Sequence, residues 1–231
     1  MALPSLTSSK YELIVPSSKT KVEYRPYLVK EEKILMIAAE SKDENQMIRA
    51  IKDVIKSCTY GNLKVDRLTM FDLEYIFTTL RSKSVGESST IGLQCTSCEE
   101  SNEVAINLAN VSITEGADSH IKLTDTIGMS MRYPSIDDII DSNSESDVEA
   151  AFELIVSCID SIYEGDEMFD TEDQTRKELM SFIESLSAKQ FEKINEFVTS
   201  IPVAYIDAEF KCSKCGEHNE INIRGLANFF K

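Results

Sequence analysis

The sequence predicts an α+β fold in which a helical N-terminal region and an acidic helical insertion surround a small β unit. Three observations point there. The spacing of apolar residues changes from 3.6 to 2 after Glu87, returns to 3.6 beyond Pro134 and goes back to 2 beyond Pro202. Two similar stretches, LQCTSCEESNEVAINL from Leu93 and FKCSKCGEHNEINIRG from Phe210, lie 117 residues apart, one in each period-2 region. Between them, the 37 positions from Asp137 to Asp173 hold fourteen Asp or Glu residues and no Lys or Arg.

The chain has 231 residues, 42% of them hydrophobic, enough to build a substantial core. Four segments are expected. Residues 1–87 form an N-terminal hairpin and helical region, 88–134 a first β half with one CxxC, 135–200 the acidic helical insertion, and 201–231 a second β half with the other CxxC. In the first segment, YELIVP and KVEYRPYL alternate around a Pro-Ser-Ser turn, as a hairpin does. A helix follows from Lys30 to about Glu40. A second one places Met47, Ile51, Val54, Ile55 and Cys58 on one face and stops at Gly61. A third opens at Thr69, whose hydroxyl can cap the amide near Asp72, and aligns Leu73, Ile76, Phe77 and Leu80.

The segments IGLQC, EVAINL, HIKLTD and IGMSMRYP alternate and are assigned to the β unit around the first CxxC. SIDDII then reads as helix, and Val148, Phe152, Ile155, Ile159 and Ile162 predict one further helix reaching Tyr163, broken by a loop, EGDEMFDTEDQT. In LSAKQF, Ser187 and Gln190 form a capping box, and Leu186 and Phe191 occupy the positions of a hydrophobic staple, so a helix starts at Ser187. VAYIDAEF leads as a strand into the second CxxC.

Aligned on their cysteines, the two copies also match at Asn102/Asn219, Glu103/Glu220, Val104/Ile221 and Ile106/Ile223. Two CxxC pairs on turns between strands are the ligand pattern of a zinc ribbon, in which each hairpin supplies two thiolates to one tetrahedral ion. Zinc held by Cys95, Cys98, Cys212 and Cys215 is therefore the expected cofactor, beside two other readings: a redox pair, which usually opens a helix in a βαβ setting, and reduced, unliganded thiols. His218 has Ser101 as its counterpart and reads as a surface residue; Cys58 and Cys158 fall on apolar helical faces and read as core thiols. A site closed by four cysteines leaves no coordination position for water. The chain also has two histidines, no GxGxxG and no P-loop pattern, so no enzyme is expected.

The formal net charge of −16 argues against nucleic acid as partner, since that role needs Lys and Arg to displace counterions. No run approaches 18 apolar residues, and MALPSLTSSKYELIVPSSK lacks the basic and apolar regions of a signal peptide, which predicts a cytoplasmic protein without membrane contact. The loop from Glu164 to Asp173 is acidic at six of ten positions. Asp166, Glu167, Asp170, Glu172 and Asp173 are expected to form a docking surface for basic partner segments, with Arg81 as a second, cationic contact at a helix end.

Several blocks resemble, in matching order, the baseplate hub assembly family of T-even-type tailed bacteriophages. They are VEYRPYLVKEEKILMIAAES, DLEYIFTTLRSKSVGE, SIYEGDEMFD, ESLSAKQFEKINEFVTSIP and GLANFF, and the resemblance spans about Tyr11 to Phe230. The resemblance implies an assembly factor or chaperone made in the host cytoplasm, working on the tail baseplate of the virion. Its partners would be baseplate hub and tape-measure proteins. It supplies no catalytic residue. The competing reading is a zinc-ribbon adaptor in transcription or replication, supported locally by Lys211, Lys214 and Arg224 and opposed by Glu99, Glu100 and Glu103.

Overall fold

The computed structural model describes residues 8–141 and 146–225. It is α+β, with seven α-helices and small antiparallel sheets among those residues. The first stretch contains β1 (Tyr11–Ile14), β2 (Lys21–Tyr24), α1 (Val29–Ser41), α2 (Glu44–Cys58), α3 (Met70–Ser84), β3 (Ser88–Gln94), β4 (Ser101–Asn107) and β5 (Ser112–Ile113). The middle contains β6 (His120–Lys122), β7 (Ile127–Met131), α4 (Ile136–Asp141), α5 (Asp147–Ser157), β8 (Ile159–Glu164), β9 (Glu167–Asp170), α6 (Arg176–Glu184) and α7 (Ala188–Thr199). The last stretch is a hairpin of β10 (Ala204–Lys211) and β11 (His218–Arg224). No described helix is long and apolar enough to cross a membrane. Two compact units result: Met1–Thr114 with Val203–Lys231, and Glu115–Pro202.

In the first unit, β1 and β2 pair as the expected hairpin, setting Leu13 against Val22. Asp43 caps α2 by accepting from the amides of Asn45 and Gln46, and the helix buries Ile51, Val54, Ile55 and Cys58. Helix α3 is central. It buries Leu73, Ile76, Phe77 and Leu80 completely, and also Glu74, Thr78 and Ser82 on its other sides. Its start is fixed by Asp72, which accepts from the amide and hydroxyl of Thr69 (3.2 and 2.8 Å) and from those of Ser17 in the β1–β2 turn (2.9 and 2.6 Å). One buried carboxylate thus caps the helix and anchors the hairpin. Hairpins β3–β4 and β10–β11 enclose a core of Ile91, Val104, Ile106, Leu108, Ile206 and Ile223, and β5 adds to the edge of β10.

The second unit departs from the sequence reading. It is not a helical insertion: β6, β7, β8 and β9 form a four-stranded antiparallel sheet, covered by a core of Met129, Met131, Ile155, Ile159, Leu179, Ile194 and Phe197. The helix expected through Tyr163 ends at Ser157, and the chain continues as β8, with Ile159 and Ser161 buried and Asp160 exposed between them. Ile155, Ile159 and Ile162 keep helical spacing, and the odd step from Ile159 to Ile162 does not read as period 2; a shift of register between Ser130 and Met131 lets Ile159 pair with Met131 and Ile162 with Met129 all the same. Gly165, at φ +60°, makes the two-residue turn with Asp166 that joins β8 to β9. Strands β6 and β7, assigned from sequence to the cysteine unit, belong to this sheet, and the unit accordingly opens at Glu115 instead of residue 135. Alternation identifies a strand, not its neighbour. Strand β9 and a short 3-10 turn, Thr171–Asp173, lie within the expected loop, and α6 begins directly after it, with Thr175 and Glu178 as its capping box. Helix α7 starts at the expected box, where the Ser187 amide donates to Gln190 Oε1 at 2.9 Å.

Candidate metal centre

The two CxxC pairs occupy equivalent turns. In the β3–β4 turn, the Cys95 amide donates to the Glu100 carbonyl (2.9 Å) and the Glu99 amide to the Cys95 carbonyl (3.0 Å). In the β10–β11 turn, the Cys212 amide donates to the Glu217 carbonyl (2.8 Å) and the Gly216 amide to the Cys212 carbonyl (3.0 Å). The residue after each second cysteine is left-handed: Glu99 at φ +58° and Gly216 at φ +77°. Glycine suits that conformation and glutamate is strained in it, so the first knuckle retains the shape without the favoured residue.

The four sulfurs, of Cys95, Cys98, Cys212 and Cys215, all lie within 4.8 Å of one another. Two separations run between knuckles, Cys95 to Cys215 and Cys98 to Cys212, both 3.6 Å. A regular tetrahedron of thiolates about 2.3 Å from an ion has edges of about 3.8 Å. These distances are far from a disulfide's ~2.05 Å, and all six cysteines are free. The donor set and its dimensions therefore fit a four-coordinate soft metal ion.

The electrostatics lean the same way. Amides of Cys215 and Lys214 hold the Cys212 thiol down to about 6, and amides of Cys98 and Ser97, with the Asn219 side chain, lower Cys95. Cys215 is pushed up to about 12: the Glu217 amide works against this, but Cys98, burial and the sulfurs of Cys212 and Cys95 outweigh it. Four thiolates at this spacing repel one another, and a divalent cation at their centre removes the conflict.

A second layer crosses between the knuckles. Buried Asn219, from the second hairpin, accepts through Oδ1 from the Thr96 amide (2.8 Å) and hydroxyl (2.9 Å) of the first, and its Nδ2 donates to Cys95 Sγ (3.6 Å) and the Glu217 carbonyl (3.1 Å). Asn102, from the first hairpin, accepts from the Ser213 amide (2.8 Å) and hydroxyl (2.9 Å) of the second, and donates to Cys212 Sγ (3.8 Å) and the Glu100 carbonyl (2.8 Å). Each asparagine thus orients the other hairpin's first cysteine. From sequence, the Asn102/Asn219 match is visible but has no role assigned to it. The repeat is the signal that could have found one, because each asparagine stands four residues after the second cysteine of its pair, Cys98 or Cys215.

The remaining sequence candidates do not converge here. His218 is exposed, and Cys58 and Cys158 are core thiols whose burial pushes them up to about 11. Asp166, Glu167, Asp170, Glu172 and Asp173 are all exposed, on the β8–β9 turn, β9 and the short turn of 3-10 helix after it. Arg81, expected as a cationic partner contact at a helix end, lies half-buried in the last turn of α3, and its enclosed Nε has no hydrogen-bond partner among the described residues. Lys214 forms an ion pair with Glu100 across the two knuckles at 2.7 Å.

Comparison with known proteins places this chain in a lineage. A family described as T4 bacteriophage base plate protein matches residues 8–231. The chain is 28% identical over 222 residues to the baseplate hub assembly protein gp26 of Enterobacteria phage T4, covering 96% of this chain and 98% of that protein. No solved structure matches it. The family match takes in all four clustered cysteines and nearly all of both units, and the chain belongs to the T4 bacteriophage base plate protein family.

Proposed function

We propose that this chain is a non-enzymatic assembly factor, a chaperone that holds components of the baseplate hub, including tape-measure segments, in the cytoplasm of the infected cell. The observation that carries this reading is the match to a baseplate hub assembly protein through both units and nearly the whole length of each chain. Zinc is the ion proposed for Cys95, Cys98, Cys212 and Cys215. Four thiolates complete its tetrahedron, so its role is structural: it ties two hairpins far apart in sequence into one β unit. The docking role falls to Asp166, Glu167, Asp170, Glu172 and Asp173, because exposed charges guide encounter while adding little individual affinity, which suits a factor that must release its client.

The adaptor reading, a zinc ribbon in transcription or replication, needs a basic surface around the cysteines. Lys214, one of its three local cations, is neutralised by Glu100. Affinity capture of the tagged protein from infected cells, compared with the proteins of purified particles, separates the two. Hub and tail components in the captured fraction are expected; capture of polymerase or replication proteins without them would favour the adaptor.

A further inference from the structure

Helix α1 is only partly used by the unit it belongs to. It buries Glu31, Leu35 and Ala38, a stripe one side chain wide. Its other side carries Val29, Met36 and Ile37, exposed by 78%, 63% and 59%, while Ile34, nearly half exposed, borders the buried stripe. At 100° per residue, Val29, Lys33, Met36 and Glu40 fall along one line opposite the buried stripe, at spacings of four, three and four, and Ile37 flanks that line. Such spacing is that of a helix–helix seam. Val29, Met36 and Ile37 leave large apolar side chains in water beside the charges of Lys33 and Glu40, a mixed pattern that suits an interface.

We infer that the outer face of α1 is a self-association surface, covered by α1 of a second copy of this chain running antiparallel to it. Charge selects both the occupant and the direction. Lys33 and Glu40 are exposed on the seam, seven residues or about 10.5 Å apart along the axis. When the second helix is reversed about a point between Met36 and Ile37, Met36 of each copy meets Ile37 of the other. The same reversal sets each Lys33 against the opposite Glu40. A parallel pair would stack Lys33 on Lys33 and Glu40 on Glu40. From Lys33 to Glu40 the seam is therefore complementary to itself in one orientation, as a two-fold interface requires, and Val29 lies beyond the paired stretch. One helix offers less area than a standard stable interface, so the dimer forms reversibly at micromolar concentrations. This inference is independent of the assembly-factor reading.

Analytical ultracentrifugation of the full chain, from about 1 to about 100 µM at physiological salt, tests it. The weight-average mass should rise from the 26.0 kDa monomer toward twice that value. Met36→Glu with Ile37→Glu should hold the protein monomeric. Lys33→Glu alone and Glu40→Lys alone should each weaken the dimer about tenfold, and the two together should restore it. All four positions are exposed, so far-UV circular dichroism should be unchanged. A wild-type chain that stays monomeric throughout overturns the inference. So does a charge-swapped double variant no better than the single ones, because another surface then mediates any association.

Discussion

Replacing Asn219 by Ala should loosen the metal centre without touching a ligand. The change removes the acceptor that holds the Thr96 amide and hydroxyl, and the donor that reaches Cys95 Sγ. Thr96 is exposed, so its freed amide and hydroxyl can turn to water, and the cost falls on the ligand. The loss of an outer-shell partner of a metal ligand lowers metal affinity about 10–100-fold, or about 1.4–2.7 kcal/mol. Asn102→Ala should cost about as much, because its contacts to Ser213 and Cys212 repeat those of Asn219 closely. Glu103 and Glu220 also match in the repeat but are exposed, and Glu220→Ala should leave affinity unchanged. The assay is competition with a chromophoric zinc chelator under reducing conditions, with circular dichroism to establish that the fold persists. Folded Asn219→Ala and Asn102→Ala proteins that bind zinc within about threefold of wild type would refute the crossed-support reasoning.

Other consequences reach beyond the centre. Glu31, whose side chain is 3% exposed, is disfavoured as a charge by its burial, yet Arg25 at 2.8 Å, the Leu28 amide and Ser57 together hold it down from 4.5 to about 2. Its folded-state value is depressed, so its contribution, at most about 3 kcal/mol, is present above pH 4.5 and lost as pH falls from there toward 2. Urea unfolding should therefore show wild type more stable than Glu31→Gln at pH 7, by a margin that shrinks at pH 3; a margin independent of pH would contradict this. Glu99→Gly should raise stability by about 0.5–1 kcal/mol by relieving the left-handed strain, while Gly216→Ala should lower it by a similar amount, both read by thermal unfolding of the metal-loaded protein. Neutralising Asp166, Glu167, Asp170, Glu172 and Asp173 should slow association with a captured hub component and flatten its salt dependence, with zinc content unchanged. Binding indifferent to salt and to these changes would leave the loop a solubilising face.

The parts legible in the sequence are those fixed by local chemistry. Thr69 with Asp72 and Ser187 with Gln190 mark their helices because a capping box is completed within four residues. The cysteine cluster is legible because the motif is duplicated, so each half identifies the other. What the sequence does not disclose depends on partners distant along the chain. Ile159 and Ile162 fit a continuing helix until β7 is present to pair with them, and β6 and β7 go to the wrong sheet because alternation carries no address. The asparagines illustrate the same limit, since their match is visible and their crossing is not: the donor to Asn219 Oδ1, the Thr96 amide, lies 123 positions away. Arg81 stands in the last turn of α3, where its sequence position puts it, and its half-burial there follows from the burial of that helix on several sides.

The most direct test of the shared four-thiolate centre is the metal content of protein purified without chelator, for wild type, Cys95→Ser and Cys212→Ser. About one zinc per wild-type chain is expected, with both substitutions losing it, because one ion draws on both hairpins. Wild type without bound metal, or two single variants that retain zinc equally, would contradict a site shared between the two turns.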